Sequence, residues 1–197
     1  MNQQFIESLS DFIFLERQHL YKEADVVLYH PGHFPELNND ISRLYIDEPF
    51  KKIMIPNVHN GFLNQNEYHY HKNILIDRGI PKDIILPIEG EAYTANDVIK
   101  NAMLQLNHKE DQKILLAGKS FFCRRFFLIA SAYAEDNMLL DVLPIEDKRG
   151  INKESWFLSD VGTNRVLNEM KMINEFLQKN NKELLDSLSK QVIKNEP

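Results

Sequence analysis

The densest concentration of reactive side chains in this 197-residue chain follows Gly118-Lys119-Ser120, where Cys123, Arg124 and Arg125 come within five residues. The segment reads as a strand passing into a helix. A helix start presents free N–H groups and the positive end of its dipole, so it attracts anions and is weakened by cations. Lys119, Arg124 and Arg125 fit there if they face a phosphate, a carboxylate or an acidic loop. The structural alternative pairs one arginine with Glu89 or Glu91. Cys123 would be activated by those arginines if it were accessible, and inert if buried.

Histidines form the second group. His30, His33 and His59 stand at loop positions and could gather as an acid/base or metal site, or simply hydrogen-bond within their loops. His69 and His71 are two apart on a predicted helix, about 200° around its axis, so they cannot chelate one ion together. Glu89 and Glu91 could act as an acid/base pair, or form a solvated turn with one salt bridge. The catalytic candidates are His30, His59 and Glu91. The ligand-binding candidates are Gly32, Asn57, Asn60, Glu67, Glu91, Thr94, Lys119, Arg124 and Arg125. No metal site is assigned.

Two phosphate-binding motifs are excluded. Gly118-Lys119-Ser120 resembles the end of a P-loop, but Lys113 and Ile114 stand where its upstream glycine belongs. Gly32 is the only glycine of its loop, so the G-x-G-x-x-G dinucleotide fingerprint is missing as well.

These residues need elements to position them. Short apolar runs at Ala24–Tyr29, Lys52–Pro56, Asp83–Pro87, Lys113–Gly118 and Met138–Leu143 read as five strands. They do not alternate apolar with polar, as expected for a parallel sheet covered on both faces. Helical spacing is seen over 5–21 and 64–78, the latter closed by Gly79. Thr94 and Asp97 suggest a capping box for a helix reaching Leu106. Further helices are expected at Phe121–Ala134, 162–177 and, weakly, 181–193, and a short one over 39–48, with Glu196-Pro197 frayed. Right-handed crossovers then give a Rossmann-like doubly wound parallel five-stranded sheet with an N-terminal helix and a C-terminal helical extension. The divisions are 1–23, 24–145 and 146–197. In such a sheet ligands bind beyond the carboxyl ends of the strands. Those loops hold most of the polar candidates. Trp156 either docks the C-terminal segment or covers the pocket.

Composition narrows the classes. The chain is 43% apolar and carries a net charge of −6. It is large enough to bury a core unaided, and its acidity disfavours a general nucleic-acid binder. One cysteine allows no internal disulfide and fits a reducing compartment. No charge-free run approaches the roughly 20 residues of a membrane helix. The amino terminus lacks the basic start of a signal peptide. The expectation is a cytoplasmic protein with a small-molecule ligand, no nucleic acid and no membrane span.

Several segments, taken in order, resemble the YdcF-like family, relatives of SanA and ElyC catalogued as a domain of unknown function. Ile80-Pro81-Lys82-Asp83-Ile84-Ile85-Leu86 and then Glu91 and Thr94 are similar to its strand and helix-opening loop. Lys119-Ser120-Phe121-Phe122-Cys123-Arg124-Arg125 looks like its "K-P-Y/F-M-x-R-R". Trp156 with Gly162, Val166, Leu167 and Glu169 resembles its "W…G…V-L-x-E" ending. Ala24-Asp25 and Glu67 also fit, so the likeness spans residues 24–177. It implies a Rossmann-like fold and a strand-end pocket for a ligand of the nucleotide or S-adenosylmethionine class, with no settled reaction. Tyr93, Asn96 and Asp97 depart from the family's loop. So do Tyr29-His30-Pro31-Gly32 and Pro56-Asn57-Val58-His59-Asn60, where members carry glycines, and these replacements imply a changed ligand. Two further possibilities are a hydrolase or transferase acting on a phosphorylated substrate through the histidines, and a non-catalytic interaction module.

Overall fold

The computed structural model describes residues 2–106 and 112–194, with side chains through residue 180. Glu196-Pro197 lie outside the described residues. Five strands form one all-parallel sheet: β1 (Val26–His30), β2 (Lys52–Pro56), β5 (Ile85–Ile88), β6 (Gln112–Lys119) and β7 (Met138–Ile145). Their order is β5-β2-β1-β6-β7. The short strands β3 (His59–Asn60) and β4 (Gln65–Asn66) pair separately as an antiparallel hairpin. The helices are α1 (Gln3–Ile13), α2 (Asn38–Asp47), α3 (Glu67–Asp77), α4 (Ala95–Leu106), α5 (Cys123–Tyr133) and α6 (Asp160–Lys194).

The apolar strands bury both faces, and the pleat sends successive side chains to opposite cores. Val26, Leu28, Ile114 and Leu116 join α1, α4, α5 and α6 in one core. Val27, Tyr29, Ile53, Ile55 and Leu115 join α2 and α3 in the other. The sheet is therefore doubly wound, as the sequence predicts. Strand order reverses between β1 and β6, where His30 pairs with Gly118. That is the switch point at which such sheets bind ligands.

Several boundaries differ from the expectation, among them β7, which runs on to Ile145, and α5, which begins at Cys123 after a 3-10 turn over Ser120–Phe122. The first helix ends at Ile13, because Ser10 and the segment after it are claimed by tertiary partners. Ser10 bonds the Lys153 carbonyl and accepts the Trp156 indole N–H at 2.7 Å, and the Gln18 and Leu20 amides donate to the Asp141 carboxylate on β7. Residues 64–66 belong to the hairpin, so α3 begins at Glu67, capped by Asn66. Lys82–Ile84 form a 3-10 turn and the third sheet strand begins at Ile85. Finally, 162–177 and 181–193 are parts of the single helix α6, since no glycine or proline interrupts them.

Trp156 is fully buried and docks the C-terminal segment onto α1. Gly162 makes this possible. A Cβ there would clash with the Trp156 carbonyl oxygen, so the first turn of α6 can pack this closely on Trp156 only where the side chain is missing. Among the described residues, no helix is long and apolar enough to cross a membrane.

Candidate functional site

At the switch point lies a cavity of about 240 Å³, lined by side chains from five segments, with Ala95 at the start of α4 as one of them. His30 ends β1, His33 and Phe34 follow it, and Phe62 caps the β3–β4 hairpin. Lys119 ends β6, Phe121, Phe122 and Arg125 follow it, and Arg149, Arg165 and Glu169 come from the C-terminal segment. Larger concavities lie elsewhere. A cleft of about 430 Å³ runs against edge strand β5, and a groove of about 630 Å³ runs between α4, α5 and α6. Neither of those two gathers this set of cations.

The cations fall into two kinds. Arg125 is 8% exposed and bidentate to Glu169, itself 2% exposed, at 2.7 and 3.3 Å. It also donates to Asn96 at 3.0 Å and lies over the Phe122 ring. Arg149 grips the Asp147 carboxylate with Nε and Nη2, which helps hold that acid below its usual range despite burial. These two guanidiniums are neutralised. Lys119 and Arg165 are not. Neither has a hydrogen bond or an ion pair among the described residues. The Lys119 Nζ sits 5.1 Å from the Phe34 centroid, and Arg165 sits 5.5 Å from that of Phe121. Burial pushes the Lys119 ammonium down to about 8, and Arg149 and Arg165 act in the same direction against Glu67 and Asp147.

Loop 30–34 runs beneath Lys119 and is fixed by a buried polar chain. Tyr29 donates to Asn38 at 3.2 Å, and Asn38 Nδ2 lies 2.9 Å from His71 Nδ1. The His71 Nε2–H then donates to the Gly32 carbonyl at 2.8 Å. This assignment follows from Nδ1 accepting. Burial pushes His71 down to about 4, so it is neutral near pH 7. Gly32 has φ +63°, and a Cβ there would stand 3.0 Å from the Lys119 Nζ.

Two polar atoms near this loop are buried without partners, His30 Nδ1 and Glu67 Oε2. His30 rests against the rings of Phe122 and Phe126, and burial, then Lys119 and Arg125, push it down to about 3. Glu67 is 5% exposed. Its Oε1 accepts from Asn60 at 2.5 Å, and burial raises its carboxyl against the pull of Asn60 and Lys119.

Among the sequence candidates, the structure brings His30, Lys119 and Arg125 to the cavity, with Gly32 against Lys119 and the Asn60–Glu67 pair in its field. Others lie apart. Arg124 turns to α1, where it donates to the Phe12 and Asp11 carbonyls. His59 is exposed on β3, and Asn57 bridges Asn66 and Glu89. Thr94 caps α4 in a reciprocal pair with Asp97, and exposed Glu91 meets Asn101 through its backbone carbonyl. The anticipated Arg–Glu pairing exists, but its acid is Glu169, not Glu89 or Glu91. Cys123 is buried, and burial raises its thiol to about 12. Among the described residues, no three His, Cys, Asp or Glu side chains converge to hold a metal ion.

Arg149, Arg165, Phe34 and Phe62 were not foreseen. The arginines lie in a segment that reads as an appendage, and their only local signal was Lys148-Arg149-Gly150 as a turn. No family model, curated protein or solved structure matches the chain.

Proposed function

We propose that this protein binds a small phosphate-bearing molecule in the switch-point cavity, with Lys119 and Arg165 holding the phosphate. The observation that carries this reading is Lys119. It is a half-buried ammonium with no hydrogen bond or ion pair among the described residues, set among further cations. Partial burial disfavours its charged form, and a bound anion would supply the missing partner. The excess of cations favours a phosphate over S-adenosylmethionine, whose sulfonium and amine would meet Lys119 and the arginines. The chain's −6 charge makes a small anion a better partner than a nucleic acid.

The test is calorimetric titration with ribose 5-phosphate. Lys119→Met should weaken binding roughly 30-fold, the worth of a charge-assisted hydrogen bond of about 2 kcal/mol. Equal affinity in wild type and variant would overturn the reading.

A second reading, a hydrolase or transferase acting on the bound phosphate ester, draws on His30. This imidazole is neutral near pH 7 and lines the cavity with a free Nδ1. It predicts turnover on a phosphoester panel that His30→Phe abolishes while ribose 5-phosphate binding persists. No turnover by the wild type removes it.

A further inference from the structure

We infer that the ligand carries a planar aromatic ring as well as its phosphate, and that Phe62 receives that ring at the cavity mouth. The inference rests on the anion-site reading above and extends it outward. A cavity of about 240 Å³ admits a phosphate and a ribose-sized group, whereas pockets for whole drug-sized ligands run from about 300 to 1,000 Å³. Any part of a ligand beyond a sugar phosphate would lie at the opening. Phe62 is there, 85% exposed although it lines the cavity.

The position of Phe62 is built. Its ring lies 4.5 Å from His33 at 31°, and His33 lies 4.1 Å from Phe34 at 32°. The Arg149 guanidinium then covers Phe34 at 4.6 Å and Phe121 at 5.2 Å, and Arg165 covers Phe121. One run of rings and guanidiniums thus leads from the open mouth to the unpaired cation inside. The backbone beneath Phe62 is held too. Its amide donates to Asn60 Oδ1 at 2.9 Å, while Asn60 Nδ2 donates to Glu67. An exposed ring fixed in this way, next to an anion site, suits a nucleobase. Stacking there is tolerant of base identity, because every base offers a π-face. The ligand class is therefore a phosphate ester bearing an aromatic base, with a nucleoside monophosphate as its simplest form.

The experiment compares AMP, UMP and ribose 5-phosphate on the full chain. Wild type should bind the two nucleotides roughly 10- to 100-fold tighter than ribose 5-phosphate, the range that base–aromatic stacking supplies. Phe62→Ala should remove that increment and leave ribose 5-phosphate affinity unchanged. Phe62→Trp should restore it, with its indole fluorescence quenched by AMP and not by ribose 5-phosphate. Equal binding of the three probes to wild type, or an equal loss of all three in Phe62→Ala, overturns the inference while the anion site stands. Wild type that binds ribose 5-phosphate no better than Lys119→Met overturns the anion site itself.

Discussion

The two ends of the parallel sheet treat charge in opposite ways. At the amino end and along the β7 edge, charged groups find ion-pair or amide partners nearby, although Arg17 Nε and Tyr21 Oη are themselves buried without hydrogen bonds. Asp25 takes Lys51 at 2.6 Å and the Lys113 amide at 2.9 Å. Arg17 pairs with Glu48, and Asp141 accepts the Gln18, Leu20 and Val142 amides. At the carboxyl end, two of the cations around one small cavity have no answering group, and a buried carboxylate oxygen and a buried imidazole nitrogen are also unpartnered. Burying polar groups without partners lowers stability. What sets the carboxyl end apart is that two cations without ion-pair partners among the described residues line one cavity, where an anion from outside could pair with them. The contrast recurs among the cavity arginines, where Arg125 is structural and Arg165 is free.

The largest effect should come from breaking the paired side. Glu169→Gln strands the Arg125 guanidinium in the core and should cost about 3 kcal/mol in urea unfolding. Lys119→Met removes a charge that has no partner and should leave stability level or raise it. A Lys119→Met protein destabilised as much as Glu169→Gln would erase the distinction between answered and unanswered charge.

A smaller, pH-dependent effect separates the two kinds of buried base near the site. His71 titrates near 4 in the native protein against 6.5 in the free side chain. Between those values the unfolded chain binds a proton that the native one excludes. Stability therefore falls as pH drops through that window, by about 1.4 kcal/mol per unit for this group. His71→Gln should flatten the urea-derived stability slope between pH 6.5 and 4.5 by that amount, and an unchanged slope would show that His71 is not the group responsible. Lys119 acts at the other end of the scale. Its native value near 8 lies below 10.5, so the charged form costs stability below pH 8 and the cost disappears toward pH 10.5. Ribose 5-phosphate affinity should fall as pH rises past 8, and Lys119→Arg should move that fall upward.

The sheet was legible because its strands are continuous apolar runs, and the α4 cap because Thr94 and Asp97 are local to it. Lys119 was legible because it sits at a strand end by chain order alone. Its partners were not. Glu169 reaches Arg125 from a helix turn 44 residues away, and Arg149 and Arg165 arrive only when Trp156 folds the C-terminal segment back onto α1. Arg124 and Arg125 are adjacent in sequence, yet successive helix positions are about 100° apart, so one faces the cavity side and the other α1. For His71 the sequence shows only that it cannot chelate one ion together with His69. Its actual work, holding Gly32, depends on a loop 39 residues earlier.

Gly32 is where the two halves of this contrast meet, because the satisfied network ends on its carbonyl and the unsatisfied ammonium stands over its α-carbon. Gly32→Ala acts on both. At φ +63° an L-residue is strained by about 1 kcal/mol. The added methyl would also stand 3.0 Å from the Lys119 Nζ, which must shift to make room. The expected outcome is a modest loss of stability with a several-fold loss of ribose 5-phosphate affinity. A loop held only to complete the fold would lose the first without the second. Unchanged affinity in a folded Gly32→Ala protein would mean that the site does not depend on where Lys119 rests, and the carboxyl end would then be as self-contained as the amino end.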